Sequence, residues 1–559
     1  MKRHLDRAVL LGLIATGASL VAAPAAHAGI SRLPRYRAYE IVSPDPQANV
    51  GSGTLANPSS PFLSNFGERL RSIGDTNGDG VREVLIADVN YNVGANAGQG
   101  RLWIFDPRAR RFLRTIDDPT PQAGARFGFW SAALGNTGEF VTSADKQTVG
   151  TYTTEGQVFV FDGKTGHLLM TISNPDPQVN ADFGGNVIAP GNLDGDGFPD
   201  FVVTASNAFT KSGIAYAFDG KTGALLYRIP NPEPTQASSF GFGAAEVGDV
   251  DGDGVGDYQI GAPFYVDGGI SNAGRSYIFS GKTGKLLYTL ANPDPTANAR
   301  FGQADSDGVA PGYISGPSFR PGIYVDGFLS NDGAVTNAGV GYLFSGSTGH
   351  LITRLHDPTP QLGGQFGVAD AQVPNLLKDG LPALAVGQTP HHNPGAVNVV
   401  SHVAVFGGAE LGKLALVLND PLAQAASGFG NSIAVPGDVN GDSFPDFLVG
   451  ARSTDFPGLP NAGAVWEFVS QDTTVPTISH VDGSRFTFKA TRRYRFFASD
   501  PDNLASELRF RCSMDNVTLH ECGSRLTVKL SHGRHVLRVR VLDPAGNQSS
   551  VRKVVIVRL

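Results

Sequence analysis

One short segment spaces four carboxylates so that they could surround a single metal ion. Asp occupies positions 1, 3, 5 and 9 of this nine-residue loop: Asp249, Asp251, Asp253 and Asp257. Ca²⁺ takes six to eight oxygen ligands at about 2.3–2.6 Å, and alternate side chains of a tight turn can converge on one point. Gly254 at position 6 allows a positive φ, and Val255 at position 7 is expected to offer its backbone carbonyl. The spacing therefore predicts a calcium-binding loop.

Three more segments repeat the pattern. Their predicted ligands are Asp75, Asn77, Asp79, Val81 and Glu83; Asn192, Asp194, Asp196, Phe198 and Asp200; and Asp438, Asn440, Asp442, Phe444 and Asp446. The loop at 249 has four carboxylates and the others have three, so we expect it to bind Ca²⁺ most tightly. The alternative is a set of Asp/Asn/Gly turns without metal, but four aligned copies favour about four structural Ca²⁺ sites.

The loops belong to a longer repeat, which a dipeptide marks. Phe-Gly recurs at intervals of 56 to 65 residues, with its aromatic residue at Phe66, Phe127, Phe183, Phe240, Phe301, Phe366 and Phe429. The unit from 183 to 229 contains four short apolar segments typical of strands, and a Pro-bearing connector follows. Seven units of four strands predict an all-β fold, a seven-bladed β-propeller.

The chain ends predict how this ring closes. The seventh unit leaves for a linker without a fourth strand, whereas the segment from Tyr39 to Ser43, followed by Pro44 and Pro46, matches the strand and connector of an ordinary unit. We therefore expect the N-terminal strand to form the outer strand of the last blade and cover its exposed edge.

These motifs resemble FG-GAP repeats, the units of the integrin α-subunit head. The resemblance rests on the Phe-Gly openings, the Gly-Ala-Pro at 261–263 and the Asp-rich loops, and it spans residues 36–469. It implies a seven-bladed propeller with structural calcium on one face. Units 2, 5 and 6 depart from the loop pattern, with Gly135 to Glu139, Asp305 to Asp307 and Lys378 to Gly380 at the corresponding places, and we expect them to be metal-free.

The regions on either side of the predicted propeller, which spans residues 29–470, differ from it in composition and sequence pattern. Residues 1–28 have basic residues, an apolar run and an Ala-His-Ala motif, which predict a secretory signal peptide, with an uncleaved anchor as the alternative. Residues 472–559 carry 15 Lys and Arg against 8 Asp and Glu, a charge of +7, while the remainder carries −14. The chain's two cysteines, Cys512 and Cys522, lie there and are expected to form a disulfide in an exported protein.

Alternating apolar residues predict a β-sandwich module over 471–559. The module resembles bacterial Ig-like domains. The resemblance rests on the segment around the two cysteines and on Gly533, His535, Asp543 and the Ala545-Gly-Asn547 segment. That resemblance implies a spacer or adhesion accessory, and the composition of the whole chain is consistent with a bacterial origin.

No catalytic motif stands out, because the sequence contains no Gly-x-Ser-x-Gly or His-Glu-x-x-His and its 12 His residues are scattered. His391, His392 and His356 are interpreted as loop or connector residues. The leading hypothesis is a secreted or cell-surface binding or adhesion protein, integrin-α-like and not an enzyme, that binds an extracellular protein or glycan. An extracellular hydrolase acting on glycans or phospholipids and a carbohydrate-binding lectin are the alternatives.

Further expectations concern partners. The basic C-terminal module could attract anionic cell-wall polymers by salt-sensitive electrostatics, although a merely solvated basic face is the simpler interpretation. We expect a monomer that binds no nucleic acid. No later stretch approaches the roughly 20 apolar residues that a membrane span requires.

Overall fold

The computed structural model describes residues 33–45, 65–303, 322–390, 399–407, 412–457, 461–472, 474–500, 503 and 505–559. Within these residues the chain forms 35 β-strands and one short helical turn, Ala208–Lys211. The predicted signal peptide and the His391-His392 pair lie outside the described residues. No helix in the described part of the chain has the length and apolar character to cross a membrane.

The propeller strands form seven antiparallel sheets, called blades 1 to 7, and the first strand of the chain, β1 (Arg35–Ile41), belongs to the last of them. Blade 1 contains β2 (Arg69–Ser72), β3 (Val84–Asp88), β4 (Arg101–Asp106) and β5 (Arg111–Asp117). Blade 2 contains β6 (Phe127–Ala133), β7 (Glu139–Ala144), β8 (Gln157–Asp162) and β9 (Leu168–Ile172). Blade 3 contains β10 (Phe183–Gly191), β11 (Asp200–Ala205), β12 (Ile214–Phe218) and β13 (Leu225–Pro230). Blade 4 contains β14 (Gly243–Gly248), β15 (Asp257–Ala262), β16 (Arg275–Phe279) and β17 (Leu286–Ala291).

The remaining blades follow the same plan. Blade 5 contains β18 (Gly322–Gly327), β19 (Val340–Ser345) and β20 (Leu351–His356), and the place of its first strand falls outside the described residues. Blade 6 contains β21 (Phe366–Val373), β22 (Ala383–Gln388), β23 (His402–Gly407) and β24 (Leu414–Asn419). Blade 7 contains β25 (Phe429–Gly437), β26 (Asp446–Ala451), β27 (Ala464–Gln471) and β1. The predicted all-β propeller is confirmed.

The N-terminal strand completes blade 7, as predicted. β1 pairs antiparallel with β27 over seven residues, from Arg35 opposite Gln471 to Ile41 opposite Val465. The two ends of the propeller segment are therefore joined by backbone hydrogen bonds, and β27 is not left as an open edge.

A hydrophobic cluster lies between each blade and the next, all the way round. The cluster between blades 7 and 1 includes Phe66 and Ile86 of one blade and Leu448 and Val465 of the other. Equivalent clusters join blades 1 to 2, 2 to 3, 3 to 4, 4 to 5, 5 to 6 and 6 to 7. Each blade thus buries both faces, and the ring of clusters has no break.

The Phe-Gly dipeptide explains how neighbouring blades approach each other. All seven of its Phe side chains are fully buried, each in the cluster shared with the preceding blade. The following glycine has a positive φ in every copy. At Gly184, for example, a Cβ atom would lie 2.6 Å from the Cβ of Ser143 in blade 2. The glycine is therefore required by both the backbone conformation and the close contact between blades.

Two further sheets form the C-terminal module. One contains β28 (Thr477–Asp482), β30 (Thr491–Ser499) and β33 (Arg525–Lys529). The other contains β29 (Phe486–Thr487), β31 (Arg509–Met514), β32 (His520–Cys522), β34 (Gly533–Leu542) and β35 (Arg552–Arg558). They share one core that includes Tyr494, Phe496, Leu537 and Val539, so the module is a β-sandwich. The predicted disulfide between Cys512 and Cys522 is present, joining β31 to β32.

A buried lysine fastens this module to the propeller. The ammonium group of Lys378, between β21 and β22, donates to Asn503 Oδ1 at 3.0 Å and to Glu507 Oε2 at 2.8 Å. It also lies 4.0 Å from the ring centroid of Phe444 in blade 7. The Lys378 side chain is only 1% exposed, so these contacts replace almost all of its hydration.

We expect Lys378→Met to loosen the module without unfolding the propeller. The substitution removes the charge and the two hydrogen bonds that the ammonium group donates to Glu507 and Asn503, which costs about 1–3 kcal/mol of docking free energy. The measurement is the rate of limited proteolysis in the linker at 471–476, which should rise. Lys164→Met, at an exposed turn of blade 2, is the matched control and should leave the rate unchanged. Equal rates for both variants would contradict the assigned role of Lys378.

Candidate metal centres

The four predicted metal loops occupy equivalent places, each joining the first strand of a blade to its second. They connect β2 to β3, β10 to β11, β14 to β15 and β25 to β26. The first strands of blades 6, 7, 1, 2, 3 and 4 contact one another in that order, and each loop follows the first strand of a blade built on the same repeat. All four loops therefore lie on one face, called the metal-loop face, together with the turns between third and fourth strands.

Similar hydrogen bonds shape the four loops. In blades 1, 4 and 7 the carboxylate at position 1 accepts backbone N–H groups of positions 4, 5 and 6 at 2.6–3.2 Å. Position 3 accepts from position 5 at 2.9–3.0 Å, and position 5 accepts from position 7 at 2.8–3.0 Å, in all four loops. These bonds turn the backbone amides toward the side-chain oxygens, so the oxygens are held in place before any ion binds.

Positions 4 and 6 adopt the left-handed conformation that the network requires. Position 6 has φ of +90°, +94° and +86° at Gly80, Gly197 and Gly254, and +72° at Ser443. Ser443 is thus a non-glycine residue in a region that favours glycine, which is a small backbone strain. Position 4 is glycine with positive φ in all four loops, a requirement that the sequence analysis did not identify.

The ninth residue ties each loop to the body of its blade. Glu83, Asp200, Asp257 and Asp446 are all fully buried. Each accepts the backbone N–H of position 2, and three also accept an N–H near the end of the third strand, from Gly220, Gly281 and Ser470 at 2.9, 2.9 and 2.6 Å. One buried carboxylate therefore connects the loop, the second strand and the region beyond the third.

Burial makes the charged form of these carboxylates costly. It raises the pKa of Asp257 to about 6 and that of Asp446 to about 8, and it also raises the pKa values of Asp200 and Glu83. A divalent cation beside such a group favours the ionised carboxylate. The donor set, made of carboxylate, amide and carbonyl oxygens, is the kind that Ca²⁺ prefers.

Three of the loops bring carboxylate oxygens close together. Within each group, one oxygen of every member lies within 4.8 Å of the others: Asp75, Asp79 and Glu83; Asp194, Asp196 and Asp219; and Asp249, Asp251 and Asp257. Oxygens at this separation can share one ion. The predicted ligand sets remain predictions, and so does the higher affinity expected for the loop at 249.

Blade 3 adds a carboxylate that the sequence analysis did not assign to the loop. Asp219 begins the turn between β12 and β13 and comes close to Asp194 and Asp196. The Lys221 ammonium lies 3.5 Å from Asp196 Oδ2 and 4.4 Å from the centroid of the exposed Phe198 ring. A signal for Asp219 was available, because Asp162 begins the equivalent turn of blade 2, but only the tertiary structure brings this turn to the loop.

Blade 7 differs from the other three. The Asp442 carboxylate is buried and accepts the Ser470 hydroxyl at 2.9 Å at both oxygens. Asn440 Nδ2 donates to Asp442 Oδ2 at 3.2 Å and to the Ser470 carbonyl at 2.7 Å. Among the described residues, this loop does not gather three carboxylate oxygens within 4.8 Å, and a Ca²⁺ site there remains a prediction.

The loop of blade 6 keeps the turn but not the ligands. Gly380 N–H donates to Asn375 Oδ1 at 2.9 Å and Leu381 N–H to Asp379 Oδ1 at 3.0 Å, as positions 6 and 7 do elsewhere. Position 3 is the buried Leu377, and position 9 is the buried Ala383. Two oxygen ligands are therefore missing, which gives a physical reason for the expected lack of metal. In blade 5, Asp305 and Asp307 lie outside the described residues.

The third histidine considered as a catalytic candidate has a simple surface role. His356, the last residue of β20, is exposed, and its Nδ1 lies 2.9 Å from Asp332 Oδ1. It belongs to an exposed contact between a loop and a strand end of blade 5.

Comparison with known proteins places the repeats in a family context. The FG-GAP repeat model matches residues 184–223 and 429–468, in blades 3 and 7. Mouse integrin alpha-3 is 34% identical over 116 residues, covering 20% of this chain and 10% of the integrin. Integrin alpha-4 of Xenopus laevis is 27% identical over 178 residues, covering 29% and 17%. Mouse integrin alpha-IIb is 26% identical over 323 residues, covering 56% and 24%.

The predicted resemblance is thereby confirmed at the level of the repeat: the chain carries FG-GAP repeats and is similar to integrin alpha chains. It spans only a tenth to a quarter of the length of these relatives. The similarity therefore concerns a part of the integrin chain and not its whole length.

Proposed function

We propose that this protein is a secreted, calcium-braced binding or adhesion protein without catalytic activity. The observation that carries the proposal is the same preorganised oxygen-rich loop on one face of blades 1, 3, 4 and 7. The FG-GAP repeats of this chain and its similarity to integrin alpha chains support it.

Calcium would act here on the scaffold. Each ion would offset the repulsion among grouped carboxylates, such as Asp249, Asp251 and Asp257, and fix the turn between the first two strands of its blade. The ninth ligand would transmit this rigidity to the third strand region through its buried hydrogen bonds. The opposite face, formed by the loops between second and third strands and by the connectors, stays available for an extracellular protein or glycan.

The basic C-terminal module would supply a second, weaker contact. Arg493 and Arg495 of β30 and Arg525 and Lys529 of β33 are exposed on one face of the three-stranded sheet, where Arg495 lies opposite Arg525. Such a face attracts anionic polymers through long-range electrostatics that salt screens. We include anionic cell-wall polymers among the proposed partners on this ground.

The test is a binding screen of the mature chain, residues 29–559, on extracellular proteins and glycans with Ca²⁺ or with EGTA. We expect at least one saturable interaction that weakens in EGTA, because the binding loops depend on the braced scaffold. Adsorption to cell walls that is lost at high salt would be the mark of the basic module. A chain that binds nothing on the screen, or that turns over glycan or phospholipid substrates, would overturn the proposed function.

A further inference from the structure

One blade departs from the others on the face opposite the metal loops. The loop between the second and third strands has 12 residues in blades 1, 2, 4, 5 and 7, and 13 in blade 6. In blade 3 it has only eight, residues 206–213. The loops between the second and third strands of the neighbouring blades 2 and 4 are therefore four residues longer than that of blade 3.

The missing residues correspond to the tip of a small hairpin. In blades 1, 2, 4 and 5 the tip is closed by an isolated pair of residues: Val93 with Asn96, Val149 with Tyr152, Asp267 with Ile270, and Asp332 with Val335. Blade 3 has instead the helical turn Ala208–Lys211, in which Phe209, Thr210 and Lys211 have φ of +50°, +57° and +70°. Three consecutive non-glycine residues in this region are intrinsically unfavourable and persist only where their surroundings impose them.

Other parts of the repeat hold this unusual turn in place. Gln178 of the preceding connector accepts the Phe209 N–H at 2.8 Å, just as Gln236 in blade 4 accepts the Val266 N–H at 2.9 Å. This hydrogen bond from the connector to the loop is therefore the same as in blade 4, and only the tip of the loop is different. Phe209 in this turn is 50% exposed.

The shortened loop leaves a cleft of about 600 Å³ between blades 2 and 3. Its lining is rich in side chains that both donate and accept hydrogen bonds, including Asn180, Asn207, Thr154 and Thr210. Asn207 Nδ2 donates to Asp182 Oδ2 at 2.9 Å, and Asp182 also pairs with Lys146. The volume is in the range of small-ligand sites, and the groups suit a ligand with many hydroxyls.

Charge in the cleft narrows the class of ligand. Lys146 and Arg126 are balanced by Asp145 and Asp182, with which they form ion pairs. Lys211 also lines the cleft, is exposed, and forms no ion pair with the described part of the chain. One positive charge therefore remains for a ligand. Phe209, which lies between the lining residues Asn207 and Thr210 in the chain, is 50% exposed and offers an aromatic ring of the kind that can cover an apolar sugar face.

We propose that this cleft binds a short stretch of an acidic oligosaccharide. The amide and hydroxyl groups bond the sugar hydroxyls, Phe209 packs against one ring, and Lys211 pairs with a carboxylate of the sugar. The assignment rests on the proposed binding function and gives it a site and a ligand class.

The experiment measures binding of the mature chain, in Ca²⁺, to uronic-acid oligosaccharides and to their neutral hexose counterparts. We expect Phe209→Ala to raise the Kd about tenfold for both groups. Lys211→Gln should weaken the acidic ligands about five- to tenfold and leave the neutral ones unchanged, and added salt should act in the same way. Phe488→Ala, which removes an aromatic ring that is 79% exposed in the C-terminal module, is the matched control and should bind normally.

A loop graft guards against effects on folding. Replacing residues 206–213 with the 12-residue loop 263–274 of blade 4 restores the ordinary length and should fill the cleft and abolish binding, with an unchanged melting temperature. Sugar binding that survives both Phe209→Ala and the graft would refute the cleft as the sugar site and leave the proposed function intact. A chain that binds only proteins would have the same consequence. A chain that binds no ligand of any class would overturn both.

Discussion

Removal of calcium with EGTA is expected to lower the melting temperature of this protein by about 10 °C. An ion present at 100 times its Kd stabilises the folded state by about 2.7 kcal/mol, and three or four sites add their contributions. Unfolding entropy scales with chain length, so each kcal/mol corresponds to about 1 °C for a propeller of this size. The loss should be reversed by adding Ca²⁺, and calorimetric titration should show about four sites.

A matched pair of variants separates metal binding from loop structure. Asp79 and Asp379 both occupy position 5 of their loops and both accept the N–H two residues ahead, from Val81 at 2.9 Å and Leu381 at 3.0 Å. Only Asp79 lies within a carboxylate group. Asp79→Ala should therefore lose one calorimetric site and part of the EGTA effect, whereas Asp379→Ala should lose neither. An unchanged melting temperature of the unsubstituted protein in EGTA would refute structural calcium.

Tyr36→Ala should lower the free energy of unfolding by about 3–5 kcal/mol, the cost of removing a large buried aromatic side chain. Tyr36 is 4% exposed in β1 and packs edge-on against Phe447, with ring centroids 5.4 Å apart. Its hydroxyl donates to the Pro445 carbonyl at 2.9 Å, which would lose its partner. Because β1 joins the ends of the ring, the loss should weaken the closure of blade 7.

Denaturant unfolding of the mature chain measures this effect. Tyr152→Ala is the control, since Tyr152 is 38% exposed in a loop of blade 2 and its removal should change stability by less than about 0.5 kcal/mol. Similar midpoints for the two variants would show that the N-terminal strand contributes little to closure.

Much of the scaffold could be predicted from the sequence because each relevant signal is local and repeated. Phe-Gly marks the start of every blade, since a buried ring and a positive-φ glycine are needed wherever two blades meet. The loops proposed to bind metal could be recognised for the same reason, because alternate oxygens at a fixed spacing are the pattern of a loop that can hold one ion. The incomplete last unit and the strand-like segment at Tyr39 likewise indicated closure, and β1 pairs with β27.

Other features depended on contacts between segments distant in the chain. The approach of Asp219 to Asp194, the turn of Asp442 toward Ser470 and the docking of Lys378 on Glu507 arise when separate loops meet in space. Their residue types are ordinary in their local context, so the spacing of residues along the chain does not show which of them meet. The number and type of blades were thus determined by the sequence alone, because the repeat is visible as a regular period along the chain. Which carboxylates meet, and where a cleft opens, was decided only by the tertiary structure, because these depend on distances between neighbouring blades.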